Sequence, residues 1–344
     1  MGAHEVTLIG GEAYLRDDWT TIAAAIAKSG MRCTMTTGGR GVTKERAREA
    51  KAAGIESVSV SVDGLRASHD MLRGVAGSFD SAIAAIEALR GAGIETSANT
   101  QLNRLSYRDL DALLDRFIEL GVTGWQMQLT VPMGRAADRP EWLLQPYELL
   151  DVYERVAEIA RRGAKAGVLF WPANNIGYFG PYETLLRGRG VVEDRAWGGC
   201  VAGKHALGLE SNGDLKGCPS LPTNEYVSGN VRTRSIREMW DRAPELRFVR
   251  DRATELWGYC KDCYYADICR AGCNWTAHVF FGKPGNNPYC HHRALEHERR
   301  GLRERLVQVE RAPGTPFDHG RFEIVVEPRD SPEPSRRRLN VLGS

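Results

Sequence analysis

The sequence predicts an α/β fold followed by a small cysteine-rich domain. Residues 5–175 alternate between short β-type runs and helical stretches, whereas seven of the eight cysteines lie beyond residue 195. Alternating β and α elements predict a parallel sheet with right-handed crossovers, either open or barrel-like. The change in composition places a domain boundary near residues 190–198.

Five strands are expected in the first part, because Val, Ile, Thr and aromatic residues are common in them. They are EVTLIG (5–10), CTMTT (33–37), SVSVSV (57–62), ETSANTQL (95–102) and WQMQL (125–129). Helices are expected over 18–30, 42–54, 78–93, 107–121 and 147–163. Asp18 and Ser78 are the expected N-caps of two of them, and Gly30 and Gly54 the expected stops.

Polar residues follow the strands where each one ends. They are Gly10-Gly11-Glu12, Thr37-Gly38-Gly39, Asp63-Gly64 and Asn103-Arg104. In parallel α/β sheets the ligand binds at the carboxyl ends of the strands. A carboxylate buried at such a position is a poor structural element, so the pattern favours a ligand contact for Glu12 over a solvated loop.

The second half of the chain reads as a smaller, loop-rich domain. LGLESNGDLKGC (207–218) predicts a hairpin that turns at Asn212-Gly213, and residues 235–251 predict a helical stretch. Few aliphatic residues are available there, so we expect metal rather than a large core to hold this part together. After about residue 310 the sequence becomes polar and proline-bearing, which predicts a frayed tail.

Charge and hydropathy exclude two classes of partner. Lys and Arg number 46 against 44 Asp and Glu, a net charge of +2, so neither nucleic acid nor a membrane surface is expected. The longest apolar runs are strand-sized, and the first residues do not have the pattern of a signal peptide. We therefore expect a cytoplasmic protein, in which clustered cysteines are metal ligands more often than disulfides.

The densest cysteine run is CKDCYYADICRAGC, residues 260–273. Disulfides are disfavoured because the number of clustered cysteines is odd. A Cys-x-x-Cys pair is compatible with zinc, and a dense run with one distant partner is compatible with iron–sulfur ligation. The residues alone predict a metal site and leave zinc and iron–sulfur open.

A family resemblance separates these alternatives. Residues 200–290 read C-x12-G-x4-C, then C-x2-C-x5-C-x3-C, then C, which resembles the SPASM domain of radical S-adenosylmethionine (SAM) enzymes. LIGGEAYLRDD resembles that family's GGE strand end, and SVDGLRASHDMLRG its fourth-strand segment. The resemblance covers roughly residues 1–300 and implies an incomplete radical SAM partial (β/α)6 barrel followed by a small SPASM domain. The implied domains are 1–195 for a barrel that lacks its first strand and cluster loop, 196–300 for SPASM, and 301–344 for a helical extension and disordered tail.

The resemblance implies two auxiliary [4Fe–4S] clusters with interleaved ligands. Carried over by position, Cys200, Cys218 and Cys273 hold the first cluster. The second cluster takes Cys260, Cys263, Cys269 and Cys290. Some relatives supply a cysteine as fourth ligand to the first cluster at the position of Asp194, so a carboxylate ligand, an open iron or another partner is the expectation here. Tyr264, Tyr265 and Trp275 are expected to shield the clusters from water. His291 and His292 are candidate metal ligands, and solvent exposure or support of the ligands from outside is the favoured alternative.

The same resemblance implies SAM contacts at the strand ends. Glu12 takes the role of the GGE glutamate that contacts the SAM amino group, with Gly10 and Gly11 beside it. Ser61 and Asp63 match positions near the SAM ribose and carboxylate, and a strand-end turn is the alternative. Arg73 is a candidate partner of the SAM carboxylate, and a surface salt bridge is its alternative.

One family motif is absent from these residues. Radical SAM enzymes carry C-x3-C-x2-C after their first strand, and those thiolates bind the cluster that reduces SAM to a 5′-deoxyadenosyl radical. The 344 residues contain no such motif, and the early Cys33 is expected to be a buried strand residue. We therefore expect a truncated chain that does not cleave SAM as it stands. SAM and a third [4Fe–4S] cluster are expected only in a full-length form.

Two functions from different classes follow. The first is a radical SAM/SPASM oxidoreductase that modifies a peptide or protein in the manner of a maturase, with a small molecule as the alternative substrate and flavodoxin or ferredoxin as electron donor. The second is a non-catalytic iron–sulfur or zinc protein that transfers electrons or acts as a scaffold. Because the motif for SAM reduction is absent, the sequence leaves open whether this chain is an enzyme.

Overall fold

The computed structural model describes residues 2–189, 191, 195–315 and 318–332. The chain forms two compact units. Unit 1 contains Met1–Leu129, Glu154–Ala173 and Thr184–Arg195. Unit 2 contains Thr130–Tyr153, Asn174–Glu183 and Ala196–Ser344. Two segments before residue 195 thus belong with the cysteine-rich part, so the units differ from a single cut at the expected boundary.

Unit 1 is built on a parallel sheet of six strands, each paired with the next in sequence. The strands are β1 (Glu5–Leu8), β2 (Arg32–Thr37), β3 (Ile55–Ser61), β4 (Glu95–Leu102), β5 (Gly124–Leu129) and β6 (Leu169–Pro172). The expected parallel α/β architecture is confirmed. Strand β6 was not predicted, because its sequence LFWP is short and ends in proline.

Helices connect successive strands. They are α1 (Trp19–Lys28), α2 (Lys44–Ala52), α3 (Arg66–Arg73), α4 (Ser78–Gly91), α5 (Leu110–Glu119), α6 (Leu149–Lys165) and α7 (Glu183–Arg187). Asp18 occupies the expected N-cap position of α1, but its carboxylate makes no cap bond and instead accepts from Arg16 Nε at 2.7 Å. The expected cap at Ser78 is wrong, because Gly77 occupies the N-cap position of α4.

The strands of unit 1 have one apolar and one polar face. In β3, Val58 and Val60 are fully buried, whereas Ser59 and Ser61 are half-buried. In β4 the same alternation buries Ala98 and leaves Asn99 half-buried. Successive side chains of a strand point to opposite faces, so the serines of SVSVSV share one face with Ser97, Asn99 and Gln101 of β4, whereas Thr96 and Thr100 lie on the buried face.

Unit 2 opens with a small antiparallel sheet. Strands β7 (Gly208–Leu209), β8 (Asp214–Lys216) and β9 (Val227–Asn230) pair in that order. The expected hairpin turn at Asn212-Gly213 is confirmed, and Gly213 has a φ of +98°, which favours glycine. Helices α8 (Thr223–Tyr226), α9 (Ile236–Arg242), α10 (Pro244–Arg247) and α11 (Ala266–Cys269) follow. A small core joins this sheet to α9 and α10 through Leu215, Met239, Ala243 and Leu246.

The C-terminal part of unit 2 differs from expectation. After α12 (Asn274–Phe281) and α13 (His291–Arg299), strands β10 (Leu302–Glu310) and β11 (Arg321–Pro328) form an antiparallel hairpin. The expected helical extension and frayed tail are therefore wrong over these strands. The ring of Phe322 packs edge-on against Phe280 with centroids 5.3 Å apart, which anchors β11 on α12. No helix among the described residues has both the length and the hydropathy needed to cross a bilayer.

Candidate functional site

Four thiols of unit 2 line a single cavity. They belong to Cys260, Cys263, Cys269 and Cys290, the set expected for the second cluster. The rest of the wall is largely aromatic, with Tyr178, Phe179, Tyr259, Tyr265 and His292. The cavity therefore combines soft thiol ligands with a wall that limits access of water.

Tight local structure brings these cysteines together. Cys260 lies in the 3₁₀ turn Gly258–Lys261, and Cys269 ends helix α11. The chain then turns sharply through Arg270, Ala271 and Gly272, which all have positive φ. At Gly272 a Cβ atom would stand only 2.7 Å from Tyr178 Cζ, so this turn requires glycine.

The remaining three cysteines form a second set. Burial, with smaller contributions from the charges of Cys200 and Cys218, raises the pKa of Cys273. Cys200 likewise raises the pKa of Cys218. Asp194, the expected fourth ligand, lies outside the described residues.

Two cysteines precede helices. Cys273 is the N-cap residue of α12 and Cys290 that of α13. The amino end of a helix carries partial positive charge, which favours a thiolate. The backbone N–H groups of Thr276 and Arg293 act in the same direction, lowering the pKa of Cys273 and of Cys290 respectively.

Burial outweighs these effects and favours the protonated thiols. Burial, with smaller contributions from neighbouring thiols, raises the pKa of Cys269 and of Cys273 to about 12. Burial also raises the pKa values of Cys218, Cys260 and Cys290. A metal that binds these sites must displace protons, so loading with metal is coupled to pH.

The aromatic residues around the cavity differ in part from those expected. Tyr265 lines the cavity and stacks on Phe179, with ring centroids 4.1 Å apart and planes 7° apart. Tyr264 is 89% exposed, so the prediction that it shields a cluster is wrong. Trp275 is not among the lining residues. Tyr178, Phe179 and Tyr259 were missed, because nothing in their local sequence links them to the cysteines.

The two histidines after Cys290 have different surroundings. His292 lines the thiol cavity and contacts the Tyr265 ring edge-on, at a centroid distance of 4.9 Å. His291 is only 2% exposed, so solvent exposure is wrong for this residue. It packs against Tyr153 and Tyr182. Burial, reinforced by His292, lowers the pKa of His291 to about 4, so its ring is neutral at pH 7.

In unit 1 the carboxylate of Glu12 is fixed by the end of β2. Its Oε1 accepts from Gly38 N at 2.9 Å and its Oε2 accepts from Thr37 Oγ1 at 2.5 Å. Glu12 is half-buried rather than buried. An ionised carboxylate has about four lone-pair sites. Two of these remain for a ligand after the two bonds within the chain.

The glycines before Glu12 are exposed. Gly10 has a φ of +135°, which only glycine adopts readily, whereas a Cβ at Gly11 would meet nothing within 4 Å. The strand-end turn therefore needs glycine at position 10. Space around both residues is open for a ligand to approach the backbone.

The carboxylate of Asp63 is engaged by the chain itself. Asp63 is 3% exposed, and its Oδ1 accepts from the Gln101 backbone N–H at 2.8 Å. Its Oδ2 lies 2.6 Å from Arg73 Nε. The expected surface salt bridge of Arg73 is thus a partly buried ion pair with a second candidate residue. This pairing favours a role for Asp63 in holding Arg73 over direct contact with a ligand.

His69 was not predicted to lie beside Asp63 and Arg73. Its Nδ1 accepts from the Asp63 backbone N–H at 2.9 Å, and the ring is 1% exposed. Burial lowers the pKa of His69, so the neutral ring carries its proton on Nε2. Ser61 lies half-buried at the end of β3, directly opposite Asn99 of β4. The sequence HDMLRG could have predicted helix α3, but it could not predict that His69 and Arg73 of this helix contact Asp63.

The polar sheet face extends from these strand ends. Pairing of β3, β4 and β5 places Ser61, Asn99 and Gln126 in one row and Gln101 beside Gln128 in the next. These side chains carry hydroxyls or amides and no formal charge. The alternation in ETSANTQL and WQMQL was the signal that could have identified the amide residues as candidates.

Comparison with known proteins agrees with the two-part construction. The profile of the radical SAM superfamily matches residues 1–125, and that of the SPASM iron–sulfur cluster-binding domain matches residues 200–264. An AdoMet-dependent heme synthase of Nitratidesulfovibrio vulgaris is 30% identical over 297 residues, which are 82% of this chain and 77% of that protein. This chain belongs to the radical SAM/SPASM family.

Two further known proteins are similar to this radical SAM/SPASM chain. Mycofactocin maturase MftC of Mycobacterium tuberculosis is 28% identical and is matched over 95% of this chain and 79% of its own length. The solved structure of native anSMEcpe with bound AdoMet and a peptide has a TM-score of 0.66 at 14% identity, over 86% of this chain and 82% of that one. The latter likeness shows the shared fold. Family membership implies iron–sulfur clusters and SAM binding.

The residues present fit an iron–sulfur group. Among the residues that the structure describes, no three His, Cys, Asp or Glu side chains converge on one point as a single metal ion requires. Tetrahedral zinc needs its sulfurs about 2.3 Å from the ion. A polynuclear cluster spaces its thiolates more widely, and four thiols around one shared cavity match that requirement.

Proposed function

We propose that this protein is a radical SAM/SPASM oxidoreductase with two auxiliary [4Fe–4S] clusters in unit 2. The shared cavity of Cys260, Cys263, Cys269 and Cys290 carries the proposal. The first cluster is assigned to the neighbouring thiols of Cys200, Cys218 and Cys273. Such clusters supply one-electron transfer when bound. In the four-cysteine cavity the thiolates hold the second cluster, and the aromatic side chains of the wall exclude water from it.

Metal content tests the proposal directly. Protein prepared without oxygen should contain about eight irons per chain, four for each cluster. It should contain little zinc. Stoichiometric zinc in a colourless protein would favour the alternative of a zinc scaffold.

The division of ligands predicts different losses from two cysteine variants. Cys263→Ala should remove the spectroscopic signals of the second cluster, and Cys218→Ala those of the first. Mössbauer and EPR spectra of the two variants distinguish the signals, with Cys33→Ala as the matched control because Cys33 is buried in β2. Identical spectra for both variants would contradict two separate sites.

At the strand ends of unit 1 we propose a SAM site in which Glu12 contacts the amino group and Arg73 the carboxylate. Both residues keep hydrogen-bonding capacity beyond their bonds within the chain. Asp63 and Ser61 support this site from the end of β3. SAM reduction requires a C-x3-C-x2-C segment, which the 344 residues do not contain. We therefore expect no 5′-deoxyadenosine from these residues with SAM and dithionite, and its formation by a protein that also carries such a segment.

For the substrate we propose a peptide, with flavodoxin or ferredoxin as electron donor. The similarity to mycofactocin maturase supports a peptide. The similarity to AdoMet-dependent heme synthase supports a tetrapyrrole as the second candidate. The polar sheet face has amides and hydroxyls, which suit the backbone of a peptide.

Binding measurements separate the two substrates. Peptides encoded by short reading frames beside the gene, labelled with a fluorophore, should show raised anisotropy with the protein. Iron coproporphyrin III should show no shift of its Soret band. A Soret shift that saturates at one equivalent, without peptide binding, would favour the tetrapyrrole.

A further inference from the structure

A fully buried arginine lies next to the four-thiol cavity. The side chain of Arg293 is 3% exposed. Arginine always carries its charge in proteins, and an arginine buried to this degree needs partners that compensate for lost hydration. Its position three residues after Cys290 places it in the first turn of α13.

Glu304 of β10 provides the main partner. Arg293 Nε lies 2.6 Å from Glu304 Oε2, and Arg293 Nη2 lies 2.7 Å from Glu304 Oε1. The Glu304 side chain is itself 4% exposed. His297 Nε2 lies 3.0 Å from Glu304 Oε1. The guanidinium is thus clamped in one orientation by a bidentate pair.

Two residues connect this arginine to the thiol cavity. Arg293 Nη1 donates to the backbone oxygen of Asn287 at 3.1 Å, and its Cζ lies 4.9 Å from the ring centroid of Tyr259. Asn287 and Tyr259 both line the cavity. Arg293 also lowers the pKa of Cys260 and Cys290, although burial has the larger, opposite effect on both thiols.

A charge beside a cavity that holds a cluster changes the reduction potential of that cluster. Four thiolates around a [4Fe–4S] core give a net negative group, and reduction adds one more negative charge. A buried cation stabilises the reduced state more than the oxidised state, because low dielectric strengthens the attraction. Net charge and hydrogen bonding are among the features that set cluster potentials. A buried carboxylate has the opposite effect.

We propose that Arg293 is the counter-charge that raises the reduction potential of the second cluster, and that Glu304 orients Arg293 and offsets part of its charge. Arg293 acts here as a positioning and tuning residue without contact to substrate. The inference rests on the proposed second cluster.

The proposed effect on the reduction potential is tested by neutralising Arg293 and Glu304 in separate variants. In EPR-monitored redox titrations, Arg293→Gln should favour the oxidised cluster at least tenfold, equal to about 59 mV for one electron. Glu304→Gln should shift the potential in the opposite direction. The double variant should fall between the two, and Arg293→Lys should stay closest to the original protein.

Arg305→Gln and Glu327→Gln are the matched controls. Arg305 adjoins Glu304 on β10 but pairs with Glu327 on β11, and both side chains are more exposed than the Arg293–Glu304 pair. Neither control should shift the potential appreciably. Iron content and melting temperature are measured for every variant.

The outcomes separate this inference from the proposed function. Potential shifts of the same sign from Arg293→Gln and Glu304→Gln, or no shift in either variant, would overturn the inference. A purely structural role of the two residues would not shift the potential in opposite directions. If Arg293→Gln fails to fold, the sign of the Glu304→Gln shift still decides. Absence of a cluster at the four cysteines in the unchanged protein would instead contradict the proposed function.

Discussion

Asp63 illustrates what a strand-end pattern can and cannot specify at the scale of a residue. The sequence placed this carboxylate at the end of β3, and the structure has it there. Its two partners come from β4 and α3, at Gln101 and Arg73. Such pairings depend on how the elements pack, and the spacing of one sequence does not contain that information.

The buried position of Asp63 predicts a loss of stability. Asp63→Ala leaves the Gln101 N–H without its acceptor and the partly buried Arg73 guanidinium without its ion-pair partner, which should cost about 1–3 kcal/mol of unfolding free energy. Urea denaturation measures this loss. Asp18→Ala is the control, because its pair with Arg16 is exposed, and it should change stability by less than about 0.5 kcal/mol. Equal effects would mean that Asp63 is not held as described.

His278 predicts a pH dependence of stability. Burial, with a smaller effect of His319, lowers the pKa of His278 to about 4. The unfolded chain binds a proton at this residue near pH 6.5, whereas the folded chain does not until about pH 4. Folding is therefore favoured fully above pH 6.5 and loses stability as the pH falls towards 4.

The measurement compares unfolding free energies across that range. The original protein should lose more stability than His278→Gln between about pH 6.5 and pH 4. His4→Gln is the control, because His4 is exposed near the start of the chain. An identical pH dependence for the original protein and His278→Gln would contradict a neutral, buried His278.

At the scale of the element, helix α4 begins on a cap that its own sequence does not supply. Asp70 at the end of α3 accepts from Gly77 N at 2.7 Å, and from Ser78 Oγ and Phe79 N at 2.8 Å. Burial raises the pKa of Asp70, but these donors outweigh it and lower the pKa below its ordinary value. A rule that looks only at the first residues of a helix selects Ser78 and misses Asp70.

Removal of that carboxylate should weaken α4. Asp70→Ala should cost about 1 kcal/mol, typical of a lost cap, and Ser78→Ala should cost less because the backbone bonds remain. The contribution of Asp70 should disappear as the pH falls below about 4, since a group with a lowered pKa stabilises the folded state above its unfolded value. A larger cost for Ser78→Ala would restore Ser78 as the cap.

The β10–β11 hairpin shows why the end of unit 2 was mispredicted. The residues after about 310 are polar and contain several prolines, and this composition predicted a frayed tail. Leu306 of β10 and Phe322 of β11 are the buried apolar residues of the hairpin. Gln145 adds a bond that sequence cannot reveal, because its Oε1 accepts from Leu306 N at 2.7 Å across a long separation.

For the whole molecule, the parallel order of the sheet and the grouping of cysteines followed from the sequence. Alternating elements predicted the former, and the seven-cysteine spacing predicted a metal-binding second half. The aromatic wall and the Arg293–Glu304 pair did not follow. Tyr178 and Glu304 come from opposite sides of the cysteine run, and only tertiary packing brings them to it.

Metal removal should affect the two units differently. Burial raises the pKa of Cys269 and of Cys273 to about 12, so these two thiols are protonated without metal. Cluster binding adds stability that the small core of Leu215, Met239 and Leu246 does not provide. Hydrogen exchange after chelation should therefore increase over residues 258–290 and change little over β3 and β4. A uniform increase in both units would contradict this picture.

The polar sheet face of unit 1 has a consequence for selectivity. The side chains of Ser61, Asn99, Gln101, Gln126 and Gln128 carry no formal charge, so a ligand that they hold is bound by hydrogen bonds rather than by Coulomb attraction. Attraction between exposed charges weakens with ionic strength, whereas neutral hydrogen bonds do not. Such a surface discriminates by leaving an amide unsatisfied when a ligand lacks the matching group. Its preference among ligands should persist from dilute buffer to concentrated brine.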